Sequence, residues 1–322
     1  MTPHPPPEAD VLVVGGGPAG LAAATWLGRY LRHTLVVDAG EQRNRHADHA
    51  HGLLGRDPAR PEDLLRDARA GLAQYPHVTV HEGRVEEIER SADGTFHAVV
   101  DGDPVVVRRV VLATGVRDEC PDVTGFEDHY GTDVHHCPSC DGFEIRGGHV
   151  VVLGAGERLP AFAAELLDWA GSVCVVTDTG AGPCDEAQWD VLAEHGIDVV
   201  DGVAEALLGE PGALEGVRLA DGSVVSADAV MFSYAHHAAN GLARQLGCEL
   251  DDHGRVVVDD LQLSSVDGVY AAGDITARLQ LVPIAIGQGT SAGIACATSL
   301  RGHRTTVGDV SPAPPTRRFT RP

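Results

Sequence analysis

A short, wholly apolar run, Val11-Leu-Val-Val14, passes straight into Gly15-Gly-Gly-Pro-Ala-Gly20 and then into Leu21-Ala-Ala-Ala-Thr-Trp-Leu27. A continuous apolar run of four residues is the pattern of a strand buried on both faces. The glycines make a turn, and the following stretch reads as a helix. Thr34-Leu-Val-Val37 is a second strand, ending in Asp38. Strand, helix and strand make a βαβ unit, which commits the chain to an α/β fold with a parallel sheet. The pattern recurs: His149-Val-Val-Val-Leu153 leads to Gly154-Ala-Gly156, then to a helix around Ala161-Phe-Ala-Ala-Glu-Leu-Leu167 and a strand Val173-Cys-Val-Val176.

Two further strands fit the first unit. Arg109-Val-Val-Leu112 ends in Ala113-Thr-Gly115, and Gly268-Val-Tyr-Ala-Ala272 ends in Gly273-Asp274, with a helix expected over Gly289–Leu300. The architecture that follows is two Rossmann-like, three-layer ββα nucleotide-binding domains, the second inserted into the first. Residues 1–117 and 243–322 form the outer domain and 118–242 the inserted one. The tails, 1–9 and about 309–322, are Pro-rich and polar and are expected to be flexible.

Gly15-x-Gly17-x-x-Gly20 stands where a dinucleotide site needs it. Gly15 makes the tight turn, Gly17 lets the backbone approach a pyrophosphate, and Gly20 lets helix and strand pack closely. The helix N-terminus, opening at Pro18 and Ala19, supplies N–H groups and positive dipole to the phosphates. Asp38 follows at the distance where a carboxylate grips a ribose hydroxyl. Asp274 suits a hydrogen bond to a ribityl hydroxyl or a cap on the helix after it, and the two roles are compatible.

Between the two units lies Cys137-Pro-Ser-Cys140, followed by Asp141 and Gly142. Two cysteines at this spacing close and reopen a small disulfide ring, the unit of two-electron thiol–disulfide exchange. Only the thiolate reacts, so a base must take its proton; Asp141, His136 and His135 are the candidates beside the pair. The other five cysteines (Cys120, Cys174, Cys184, Cys248 and Cys296) are expected to be packed or inert thiols. An odd count in a chain of 322 residues is not the framework of a secreted disulfide scaffold. The formal charge of −23 excludes a basic nucleic-acid footprint and disfavours an anionic membrane surface. Met1 to Asp10 carries no apolar h-region, and no apolar run reaches bilayer-spanning length, so a cytoplasmic enzyme is expected. No metal site is expected.

Taken together, Gly15–Gly20, Ala113-Thr-Gly115, the Cys137–Gly142 motif and Ala272-Gly-Asp274 resemble the low-molecular-weight thioredoxin reductase family over about residues 9–302. The resemblance implies a homodimer, FAD held by Gly15, Gly17, Gly20, Asp38 and Asp274, and a redox-active Cys137–Cys140 pair. It also implies that Asp141 moves protons and that Cys140 is the cysteine nearer the flavin. Pro18, Ala19, Ala113, Thr114, Gly115, Gly273 and Gln280 fall within or beside the same cofactor motifs.

The second unit departs from that family. Its third small position is Leu159, and Glu157 sets a negative charge near a site meant for anions. After Val176 the family's His-Arg-Arg cluster is replaced by Thr177-Asp-Thr-Gly-Ala-Gly-Pro-Cys184, where Asp178 would repel a 2′-phosphate but could accept an NADH ribose. Ser233-Tyr-Ala-His-His237 replaces a Gly-rich strand end, and Gln280-Leu281 replaces an Arg-Gln pair beside the flavin. NADPH is therefore expected not to be used. The expected function is that of the branch that closes disulfides in natural products such as gliotoxin and holomycin: a dithiol oxidase using FAD, a small dithiol and O2, with H2O2 released. The alternative is a thioredoxin or small-disulfide reductase fed by NAD(P)H or ferredoxin; a flavin protein with a regulatory disulfide is a third reading. The stretch Arg43–Asp57, with His46, His49 and His51, is expected to lie over the cofactor, its histidines hydrogen-bonding FAD rather than lining a substrate pocket.

Overall fold

The computed structural model describes residues 9–154, 156–177 and 186–301. The tails apart from Ala9, and the positions Asp178 and Cys184, lie outside the described residues. Two five-stranded parallel sheets form the framework. The first runs in the order Val269–Ala271, Arg109–Leu112, Val11–Val14, Thr34–Asp38, Val78–Glu82. The second runs Asp198–Asp201, Ser172–Thr177, His149–Gly154, Ala229–Ser233, Val134–His135. The last segments of the chain thus complete the sheet begun by the first, and the second sheet is built wholly from the middle.

Alternation along each strand explains why both faces are apolar. Val11, Val13, Val36 and Val111 pack on one side against the helix Pro18–Arg29 and the helix Val282–Ser299. Leu12, Val14, Leu35, Val37 and Val110 pack on the other side against an antiparallel sheet of Val85–Arg90, Phe96–Val100 and Asp103–Val107. The inserted domain repeats the scheme. Val151, Leu153, Cys174 and Val176 face a second antiparallel sheet, while Val150, Val152, Val173 and Val175 face helices through Leu159, Ala163, Leu166 and Leu192. Side chains on successive residues of a strand point to opposite faces, so one apolar run feeds two cores.

A two-stranded ribbon, Val116–Asp118 against His236–Ala238, joins the domains. The expected boundaries at 117/118 and 242/243 fall at and just after this ribbon. Of the cysteines expected to be packed or inert, Cys174, Cys248 and Cys296 are buried and Cys120 is exposed. Its thiol is still pushed up, by partial desolvation and by the charges of Asp118 and Glu127, which keeps it protonated. Among the described residues no helix is long and apolar enough to cross a membrane.

Candidate active site: a cystine opening onto a dinucleotide chamber

The first glycine turn is shaped as its sequence requires. Gly15 has φ +107°, and a Cβ on it would overlap the carbonyl oxygen of Ala113. A Cβ on Gly20 would overlap the carbonyl oxygen of Gly15, so helix and strand touch there. Gly17 has nothing within 4 Å of where its Cβ would be, and it opens onto a chamber of about 820 Å³. The helix Pro18–Arg29 starts at this point with no side-chain cap and no acidic residue in its first turn. Its first N–H groups are therefore free to meet an anion. All the residues expected to hold the cofactor line the chamber except Gly20, which lies beneath it.

Asp38 stands at the far end of the chamber, buried, taking hydrogen bonds from Gly16 N and Gly40 N at 3.2 Å and from Gln42 Nε2 at 2.8 Å. Arg69 forms an ion pair with it. At the opposite end stands Asp274. It does not cap the following helix, which begins eight residues later with Leu281 as its N-cap; the capping role is excluded. The expectation of a helix over 289–300 is corrected likewise, because the helix runs from Val282. Burial raises the Asp274 carboxyl above the usual range, against the opposing pull of Arg43 at 3.5 Å.

Arg43 was not legible as a site residue. Its guanidinium donates to Asp118 at 2.7 and 2.5 Å and to Gln280 Oε1 at 2.6 Å. Burial works against its charge, but the hydrogen bonds and charge of Asp118 outweigh that and hold it above its ordinary value. A cation therefore sits beside Gln280 even though the Arg-Gln pair is missing from the motif. The segment it opens does more than expected: His46, His49 and His51 all line the chamber that the cystine also borders.

Cys137 and Cys140 are joined as a disulfide, Cα–Cα 5.2 Å, across the single helical turn Pro138–Asp141. Both line the same chamber as the glycine turn. Asp141 Oδ1 lies 3.5 Å from His135 Nδ1, both side chains mostly buried. Burial raises the Asp141 carboxyl, with His135 pulling the other way. His136 lines the chamber too, but its ring meets other groups than Asp141. Its Nδ1 is 3.2 Å from the Tyr130 hydroxyl, and its ring packs with Tyr130 and Phe232. Burial, with Arg43 adding to it, lowers His136 to about 4, so it is neutral near pH 7. Burial also pushes the Tyr130 phenol up, so the phenol keeps its proton.

The second glycine turn is built differently. Helix Leu159–Glu165 has seven residues and begins five positions after Gly154, whereas the first helix begins three positions after Gly15. The Leu159 side chain is fully buried in the core between strand and helix, and a Cβ on Gly154 would come within 3.2 Å of it. At the position matching Gly20 of the first turn, where no side chain fits, the second turn carries a buried leucine.

The family model for pyridine nucleotide-disulphide oxidoreductases matches residues 9–289. The chain belongs to that family. It is an oxidoreductase of the flavin-dependent, thioredoxin reductase-like kind. Among its relatives is Thioredoxin reductase sirT of Leptosphaeria maculans, 32% identical over 302 residues, covering 88% of this chain and 92% of that protein. Thioredoxin reductase tcpT of Claviceps purpurea is 30% identical over 314 residues, covering 90% and 94%. The crystal structure of HlmI superposes with a TM-score of 0.85 at 33% identity, covering 91% of this chain and 92% of that one. FAD is the cofactor that the family implies, and the chamber fits it: Gly17 leaves a cradle, an uncapped helix end faces it, and carboxylates stand at both ends.

Proposed function

We propose that this oxidoreductase is an FAD-dependent dithiol oxidase that closes a disulfide in a small natural-product dithiol. One observation carries the reading. The cystine opens onto the dinucleotide chamber, while the second glycine turn, the place for a nicotinamide cofactor, has the buried side chain of Leu159 where the first turn has Gly20. We take the partners to be a small dithiol and O2, with NADPH unused, and the assembly to be a cytoplasmic homodimer, as expected from the sequence.

The exchange proceeds as follows. A substrate thiolate attacks one sulfur of the Cys137–Cys140 bond, forming a mixed disulfide and releasing the other sulfur as thiolate. The second substrate thiolate then attacks the mixed disulfide, and the cyclic disulfide product leaves. Cys137 and Cys140 now hold the electron pair. FAD held by Gly15, Gly17, Asp38 and Asp274 would supply the redox chemistry that passes this pair to O2, so that dithiol plus O2 would give disulfide plus H2O2. Asp141 takes the thiol proton: its carboxyl is raised by burial and steadied by His135. His136, also expected among the catalytic residues, is assigned instead to hold the aromatic wall through Tyr130.

A second reading, a thioredoxin or small-disulfide reductase, has the relatives' names in its favour. One experiment decides. The purified yellow protein is mixed anaerobically with NADPH, with NADH or with dithiothreitol, and the visible flavin absorption is followed. Bleaching by the dithiol alone, with peroxide formed when air is admitted, is expected. Rapid bleaching by either nicotinamide would overturn the oxidase reading in favour of the reductase.

A further inference from the structure

The segment Arg43–His51 belongs to the outer domain, where Arg43 meets Gln280 and Asp274 and His51 meets Asp57, but it also reaches the inserted domain at several points. Arg43 makes its two-pronged pair with Asp118, where the connecting ribbon leaves the outer domain. The His46 ring stacks on Tyr130, centroids 5.2 Å apart and planes 23° from parallel. The His46 carbonyl oxygen abuts Gly131, where φ is +90° and a Cβ would overlap that oxygen. Asp48 Oδ2 accepts from Thr132 Oγ1 at 3.3 Å, and His51 Nε2 lies 3.6 Å from Glu144 Oε1. The last contact is four residues from Cys140.

Two covalent linkers alone would leave the domains free to reorient, the default for modest inter-domain contacts. Here a single nine-residue segment grips the inserted domain at the ribbon, at 130–132 and at Glu144. The exposed contacts among these are individually weak, but the Arg43–Asp118 pair is two-pronged and mostly buried, and the Gly131 approach leaves no slack. No reorientation about the ribbon preserves all of them.

We propose that Arg43–His51 is a clasp that keeps the inserted domain in one working orientation, with the cystine on the flavin chamber, throughout turnover. The electron pair then has a single entrance, the Cys137–Cys140 sulfurs, and a nicotinamide carried by the second glycine turn has no path to the chamber. This rests on the reading that FAD fills that chamber.

The test uses the holoenzyme with Asp48→Cys and Thr132→Cys in a Cys120→Ser background. The new thiols are bridged by dibromoacetone, because a thioether survives the dithiol substrate. Anaerobic flavin bleaching by dithiothreitol should stay within about twofold of the unbridged protein if one orientation serves the whole cycle. A fall of about tenfold or more on bridging would overturn the proposal. In a second variant, Gly131→Val, amide exchange in 43–51 and 130–132 should rise, and bleaching should slow about tenfold with FAD still bound. Unchanged exchange and bleaching in that variant would also overturn it, and if the variant does not fold the bridged protein decides. Failure of the native protein to be bleached by any dithiol is a different result, and it sinks the oxidase reading rather than the clasp.

Discussion

Cys140→Ser is expected to abolish dithiol oxidation while leaving the protein yellow. The substitution removes one sulfur of the only disulfide among the described residues, so no ring can open to accept two electrons. A serine oxygen cannot replace it, because exchange passes through a sulfur–sulfur bond. The loss should be about 10⁴-fold or more, the scale seen when the reacting atom of a covalent catalyst is removed. The residues expected to hold the cofactor lie in the other domain, around Gly17, Asp38 and Asp274, and none of them contacts the cystine turn through a hydrogen bond. The visible flavin spectrum should therefore survive. The variant also separates the two sulfurs. If Cys140 is the flavin-facing one, Cys137 is left as a free thiolate that can open the disulfide form of the substrate, and a substrate-sized mass increase on the peptide bearing Cys137 is expected after incubation with that disulfide, not with the dithiol. Loss of FAD from Cys140→Ser would mean that the chamber has been assigned to the wrong domain.

How far the sequence reached can be seen residue by residue. Six of the ten strands in the two sheets were legible because a run such as Val11–Val14 needs burial on two faces, which a central parallel strand supplies, whereas Val78–Glu82, Val134–His135, Asp198–Asp201 and Ala229–Ser233 were not read as strands. The glycine turn was legible because each glycine answers a local steric demand. The start of the last helix was not. Val282-Pro-Ile-Ala-Ile has the apolar continuity of a strand, and its helical state is decided by packing against the helix Pro18–Arg29. Arg43 had no local signal, since Asp118 and Gln280 lie 75 and 237 residues away in sequence. The choice between His135 and His136 was also beyond the sequence. The two are neighbours at the end of the strand Val134–His135, where consecutive side chains point to opposite sides. His136 was the one expected in the catalytic set, yet it is His135 that meets Asp141 while His136 meets Tyr130, and nothing local in the sequence marks that difference.

That division of labour leads to the second large effect. Asp141→Asn should slow dithiol-driven flavin reduction by about 10²–10⁴-fold, the usual worth of a positioned base. The pH dependence carries the sharper information. Burial holds the Asp141 carboxyl above the usual carboxylate range. The base is the ionised form, so activity is present above that raised pKa and lost as pH falls through it. Asparagine keeps the shape and the contact with His135 but cannot take a proton, so the acid limb should vanish. Only the rise set by ionisation of the substrate thiols, centred at about 8.5, should remain. His135 opposes the upward shift of Asp141. His135→Gln should therefore move the acid limb to higher pH without removing it, whereas His136→Gln should leave the limb where it is. An Asp141→Asn protein that kept its rate within about threefold, with the acid limb intact, would show that the proton goes elsewhere. A limb that moved with His136 rather than His135 would return the base to the residue beside Tyr130.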